Sequence, residues 1–172
     1  MSRSGAITFK GNPMTLAGEA VAVGQPAPAF TAHYFKDGFQ TLSNECLKGK
    51  PSLISVIPSI DTGVCQTQTK KFNEEVASLG DAVNAVTISL DLPFAQNRWC
   101  GAEGVDNLHV VSDYQDRLFG NNWGMLIEEL KLLARGAFVI DAAGVVQYAE
   151  VVGEATEEPN YDAALDALKG LL

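Results

Sequence analysis

Apolar positions along this chain follow two rhythms. Apolar-rich runs at 53–57 and 83–90, with only small or uncharged polar residues among them, read as short buried strands. Between them, residues 66–80 set Phe72, Val76 and Leu79 at helical spacing, which predicts a helix with one apolar face. Residues 95–103 predict a short helix ahead of Gly104, 108–111 a short strand, and 113–119 a helix capped by Asp113. Residues 137–140 and 145–152 read as a hairpin around Asp141-Ala-Ala-Gly144. The chain closes with a helix at 161–172 carrying Leu165, Leu168 and Leu172 on one stripe.

The first quarter of the chain alternates more weakly. Residues 6–10, a Gly11-Asn12-Pro13 turn and a return over 14–23 predict a hairpin extension at 1–24. Gly24-Gln-Pro-Ala-Pro28 then interrupts regular structure, because prolines fix φ and remove donors. Residues 31–41 can pair around Lys36-Asp37-Gly38. With no repeat, low-complexity tract or linker, the expectation is a single domain over 1–172. Strand–helix–strand followed by a hairpin and a helix makes it α/β, with a mixed central sheet flanked by helices. A thioredoxin-like arrangement fits that order, although periodicity alone does not separate it from other three-layer α/β folds.

Composition narrows the partners. The 172 residues suffice for one sizeable core, with 47% apolar and 19% charged residues in the soluble globular range. Twelve basic against twenty-one acidic residues give a formal charge of −9, and no basic stripe is present, so neither nucleic acid nor a membrane surface is expected as partner. The N-terminal residues lack the apolar core of a secretory signal, and no run approaches the ~18 apolar residues of a membrane span. An odd set of three cysteines, Cys46, Cys65 and Cys100, in an unsignalled chain points to a reducing compartment, by default the cytoplasm.

The most informative stretch is Pro58-Ser-Ile-Asp-Thr62-Gly-Val-Cys65. It follows a predicted buried strand and leads into a predicted helix, which puts the Cys65 thiol in a helix's first turn. Unpaired backbone N–H groups and the positive end of the helix dipole favour the thiolate there, and the thiolate is the reactive form. No Cys-x-x-Cys pair, Walker loop, dinucleotide fingerprint or G-x-S-x-G elbow occurs, so cofactor-free thiol chemistry is expected.

Pro58-x-x-x-Thr62-x-x-Cys65 matches the active-site motif of the peroxiredoxins. With Leu92-Pro-Phe-Ala-Gln-Asn-Arg-Trp-Cys100-Gly-Ala-Glu-Gly104 and Ala134-Arg135-Gly-Ala-Phe-Val-Ile-Asp141, the chain resembles the thiol peroxidase branch, the atypical two-cysteine peroxiredoxins, over nearly its whole length. Gly63 stands where many peroxiredoxins carry proline, a familiar variation in this branch. The resemblance implies Cys65 as peroxidatic cysteine, attacking hydrogen peroxide or an alkyl hydroperoxide and becoming a sulfenic acid. It implies Thr62 as a hydrogen-bonding partner of sulfur and peroxide, Arg135 as the activating cation and Pro58 as a shield against water. It also implies Cys100 as resolving cysteine, forming an intrachain disulfide that a thioredoxin-type dithiol reduces, and a homodimer with its interface near the active-site loops. Because a disulfide needs Cα atoms within about 7 Å, the segments around Cys65 and Cys100 are expected to unravel locally before it forms, with Gly63, Gly101 and Gly104 easing the change.

Other candidates carry less. Cys46 matches no family role and reads as filler. His33 and His109 lack triad or metal spacing, with His109 in a strand expected to be buried. Asp61 reads as a loop hydrogen bonder, and the apolar Phe94 and Trp99 near Cys100 as a preference for alkyl peroxides. A general thiol–disulfide oxidoreductase and a peroxide sensor that relays its disulfide to a partner share the same first chemistry and stay open as alternatives.

Overall fold

The computed structural model describes residues 1–172 and assigns five helices and eleven strands. In chain order these are β1 (Ser2–Phe9), β2 (Asn12–Ala17), β3 (Thr31–Phe35), β4 (Phe39–Ser43), α1 (Asn44–Leu47) and β5 (Ser52–Val56). There follow α2 (Gly63–Ala77), β6 (Asn84–Ser89), α3 (Pro93–Glu103), β7 (His109–Ser112) and α4 (Leu118–Asn122). The chain ends with β8 (Leu126–Ile127), β9 (Leu132–Leu133), β10 (Gly136–Ile140), β11 (Val146–Val151) and α5 (Tyr161–Lys169).

The central seven-stranded sheet runs β11-β10-β5-β6-β7-β3-β4, with β5, β6 and β7 parallel and the outer strands antiparallel. This is the expected mixed sheet with flanking helices. The N-terminal hairpin forms a second sheet with β8 and β9, in the order β1-β2-β8-β9.

Alternation along the buried strands sorts the core onto two faces, as the strand period of two requires. Ile54, Val56, Val86, Ile88, Phe138 and Ile140 pack with Leu16, Phe119 and Trp123 on the hairpin side. Leu53, Ala85, Val110 and Val139 pack with Phe72 and Val76 of α2 and with Leu165 and Leu168 of α5 on the other. Cys65 belongs to this second cluster and Cys100 packs against it, so both cysteine-bearing helices cover one face of the sheet. Fully burying a Leu, Ile or Phe side chain is worth about 1.5–3 kcal/mol, which makes these two clusters the main source of cohesion.

Several boundaries differ from the sequence reading. β2 stops at Ala17 instead of running to 23, because Gly18 turns into the left-handed region at φ 73°, which an extended strand cannot hold. The helix expected at 113–119 starts only at Leu118. Asp113 still caps it, from a distance, with its carboxylate accepting the N–H groups of Phe119 (3.0 Å) and Gly120 (2.8 Å). α2 ends at Ala77, leaving Leu79 beyond the helix and only partly buried. α5 ends at Lys169, so Leu172 is exposed instead of continuing the Leu165–Leu168 stripe. The strand carrying His109 is buried from Val110 to Ser112 as expected, while His109 itself, at its start, is exposed. The segment 24–28 is irregular as predicted, yet anchored: Gly24 and Ala27 donate to the carbonyls of Val146 and Gly144, each at 2.8 Å.

Candidate active site

β5 delivers the chain to the buried Pro58, and the loop that follows turns it into α2, whose third residue is Cys65. Thr62 holds the N-cap position in extended conformation, and its carbonyl accepts the Gln66 N–H (3.0 Å). Its hydroxyl donates to the Ser59 carbonyl (3.0 Å) and not to the sulfur. Gln66 closes the loop further by donating its side-chain amide to the Ile60 carbonyl (3.0 Å). Asp61 is exposed. Its backbone N–H, not its carboxylate, makes the local hydrogen bond, to Ser59 Oγ (3.2 Å).

The Cys65 sulfur is fully buried, and its one hydrogen-bond partner is Arg135, whose Nη2 lies 3.4 Å away. Arg135 is itself 3% exposed, with Nε donating to the Ala155 carbonyl (3.0 Å) and Nη1 to Gln68 Oε1 (3.0 Å). No carboxylate pairs with it; the two salt bridges in the molecule are Lys48–Glu45 and Lys70–Glu103. A buried guanidinium without a counter-ion is costly, and that cost falls when negative charge develops on the sulfur it faces. Seventy residues of sequence separate the two partners, and the β5–β10 pairing that sets Gly136 opposite Val56 brings them together. Gly136 is needed beside the arginine, because a Cβ there would collide with the Glu150 carbonyl oxygen.

Gln68 escaped the sequence reading. It sits one helical turn after Cys65, is fully buried, and ties α2 to the sheet by donating to Ser55 Oγ (2.8 Å) and to the Val56 and Gly136 carbonyls (3.3 Å each). The signal available was a glutamine on the apolar face that carries Phe72 and Val76. Composition and periodicity gave no reason to rank it above other polar residues.

Cys100 lies on α3, partly buried, and both it and Cys65 are free thiols. Burial pushes the Cys100 thiol up to about 11 from 9.0, so in this conformation it is protonated at neutral pH. It borders a cavity of about 430 Å³ that Gln96, Lys36 and His109 also line. Cys46 is exposed, with only Ser43 Oγ near its sulfur at 3.9 Å. Phe94 and Trp99 share no common surface. Trp99 is buried, whereas Phe94 is 56% exposed and packs against Phe35 and Phe39 at ring distances of 5.2 and 5.3 Å.

Residues 22–165 match the Redoxin family model. The chain is 55% identical over 166 residues to the thiol peroxidase of Bacillus subtilis strain 168, covering 96% of this chain and 98% of that one. It is 50% identical over 163 residues to the thiol peroxidase of Listeria monocytogenes serotype 4b, covering 95% and 97%. Among solved structures, a peroxiredoxin-like protein from Aquifex aeolicus superposes with a TM-score of 0.88 at 40% identity, covering 99% and 98% of the two chains. A thiol peroxidase from Chromobacterium violaceum shares the fold, with a TM-score of 0.83 at 20% identity and 95% coverage of each chain. A cysteine at a helix start facing a buried, unpaired arginine thus sits in a chain half identical to known thiol peroxidases, and the chain belongs to the redoxin family as a peroxiredoxin-type thiol peroxidase.

Proposed function

We propose that this peroxidase reduces hydrogen peroxide and alkyl hydroperoxides through Cys65 as the peroxidatic and Cys100 as the resolving cysteine. The contact between Arg135 and the Cys65 sulfur carries the reading, because it sets a permanent cation against a nucleophile in a site with no competing carboxylate. The Cys65 thiolate attacks one peroxide oxygen and the O–O bond breaks. The departing oxygen takes a proton to leave as water or an alcohol, and the sulfur becomes a sulfenic acid. Arg135 stabilises the charge as it passes from sulfur to oxygen, and the free N–H groups of α2's first turn can serve the same end. Pro58 keeps bulk water from the sulfur. Thr62 turns its hydroxyl from Ser59 toward the bound peroxide when the loop admits it.

Cys100 then attacks the sulfenic sulfur, expels water and forms an intrachain disulfide. A thioredoxin-type dithiol restores both thiols by two successive exchanges. With Cys65 fully buried and Cys100 partly so, on two separately packed helices, resolution requires the start of α2 and the segment around Cys100 to leave their places. We place the enzyme in the cytoplasm as a single-domain homodimer, with Phe35, Phe39 and Phe94 beside the start of α3 as the apolar surface such a contact would cover.

The test is peroxide consumption coupled to thioredoxin and its reductase. Cys65→Ser is expected to be inactive, and Cys100→Ser to oxidise once without turning over. Stoichiometric oxidation of the wild type without turnover would favour the sensor reading instead.

A further inference from the structure

A single carboxylate at the end of β6 joins the two cysteine-bearing segments. Asp91 Oδ1 accepts the Ser59 hydroxyl (2.9 Å), and Oδ2 accepts the Ile60 N–H (2.7 Å) and the Ser89 hydroxyl (2.6 Å). Ser59 and Ile60 lie in the loop that enters α2, and the Thr62 and Gln66 side chains lock that loop to the helix's first turn. On the other side, Ser89 Oγ accepts one amide hydrogen of Gln96 (3.0 Å), whose second goes to the Val111 carbonyl (2.8 Å). Gln96 is one helical turn before Cys100. Ser89 and Gln96 are at most 1% exposed, so these bonds are shielded from competing water.

The resolving helix has few other anchors. Of its eleven residues only Pro93, Gln96 and Trp99 are buried, and Gln96 Oε1 and Trp99 Nε1 lack partners. Its ion pair to α2, Lys70–Glu103, is more than a third exposed at both ends and adds little. Gln96 is therefore the principal polar tie between α3 and the sheet, and it hangs on the same Ser89–Asp91 unit that holds the peroxidatic loop.

We propose that Asp91 is a positioning residue that couples the two segments, so that release of the Cys65 loop loosens the turn carrying Cys100. The inference rests on the two-cysteine reading above. Oxidised Cys65 and Cys100 must both leave their packed positions, and a shared joint makes the two openings cooperative where separate anchors would demand two independent rare events.

Two measurements test this: amide hydrogen exchange in the reduced protein, and the rate of Cys65–Cys100 disulfide formation after one peroxide pulse, read by rapid alkylation and mass spectrometry. Asp91→Ala is expected to raise exchange over 59–65 and also over 96–101, a segment Asp91 does not itself bond, and to speed disulfide formation about fivefold, the scale of one lost hydrogen bond. Gln96→Leu is expected to speed it similarly, and the double variant by less than the product of the two, since each deletion weakens the bond the other needs. Leu168→Ala, a core deletion in α5, should not single out these two segments. Should Asp91→Ala fail to fold, Asp91→Asn, which keeps one acceptor oxygen, carries the same comparison with smaller amplitude. Wild-type exchange over 96–101 in the Asp91 variant, fold-changes that multiply, or the same exchange pattern in Leu168→Ala would overturn the coupling. A wild type that forms no Cys65–Cys100 disulfide would instead remove the two-cysteine reading and this inference with it.

Discussion

At the scale of residues, the site turns on one buried cation. Arg135 spends three of its donors on Ala155, Gln68 and Cys65, so its position is fixed before any substrate arrives. Arg135→Met keeps much of the volume and removes the charge, and it is expected to slow the peroxide step about 10- to 100-fold, the range for losing a hydrogen bond to a charged group. Stopped-flow oxidation of a Cys100→Ser background isolates that step, and an unchanged rate would deny the arginine its role. Cys100 offers a pH test. Its thiol is raised from 9.0 to about 11 in the fold, so between those values the folded form holds a proton that the unfolded form has released. Stability due to this group is therefore full below pH 9 and is lost as the pH rises toward 11. In urea unfolding, the stability of wild type relative to Cys100→Ser should fall across that window, and parallel curves would contradict it.

At the scale of elements, the first turn of α2 has a simple opportunity for stiffening. Gly63 is the helix's first residue, its φ is not positive, a Cβ there meets nothing, and its N–H makes no hydrogen bond. Thr62 before it is already extended, at φ −115° and ψ 148°, as a residue preceding proline must be. Gly63→Pro is thus compatible with the fold and should stabilise this turn by about 0.4–1 kcal/mol through the unfolded chain. The same restriction opposes the unravelling proposed to bring Cys65 to Cys100, so disulfide formation after a peroxide pulse is expected to slow two- to fivefold by that energy scale. A faster disulfide in the proline variant would show that α2 need not open. Gly104 has the opposite character: it ends α3 in the left-handed region at φ 67°, which glycine adopts at no steric cost.

For the whole molecule, the aromatic cluster of Phe35, Phe39 and Phe94 is an apolar surface in an otherwise acidic protein, with Leu92 also exposed beside it. If it forms the homodimer contact, Phe94→Asp places like charges face to face across it and should weaken association at least tenfold, since one unit of pairing free energy of about 1.4 kcal/mol is a factor of ten. Sedimentation velocity across a concentration series reads this directly, and an unchanged dimer would move the interface elsewhere.

The α/β class, the hairpin extension and the place of Cys65 were all legible in the sequence, because strand and helix periods and the chemistry of a helix start are local properties. The same local reading misplaced the ends of α4 and α5. Asp113 does cap a helix, but through a carboxylate that reaches N–H groups six and seven residues on, which no spacing rule for caps anticipates. Arg135 could be named from its motif, yet its burial, its freedom from any carboxylate and its hold on the Cys65 sulfur arise from the antiparallel pairing of β10 with β5. Gln68, Gln96 and Asp91 find their hydrogen-bond partners only once the sheet sets Ser55, Ser89 and the Val111 carbonyl within reach. Local sequence was enough to put the Cys65 thiol at a helix start, since that depends on one residue and its neighbours along the chain. What holds that sulfur was settled by packing, because hydrogen bonds between residues 30 to 70 positions apart depend on strand pairing.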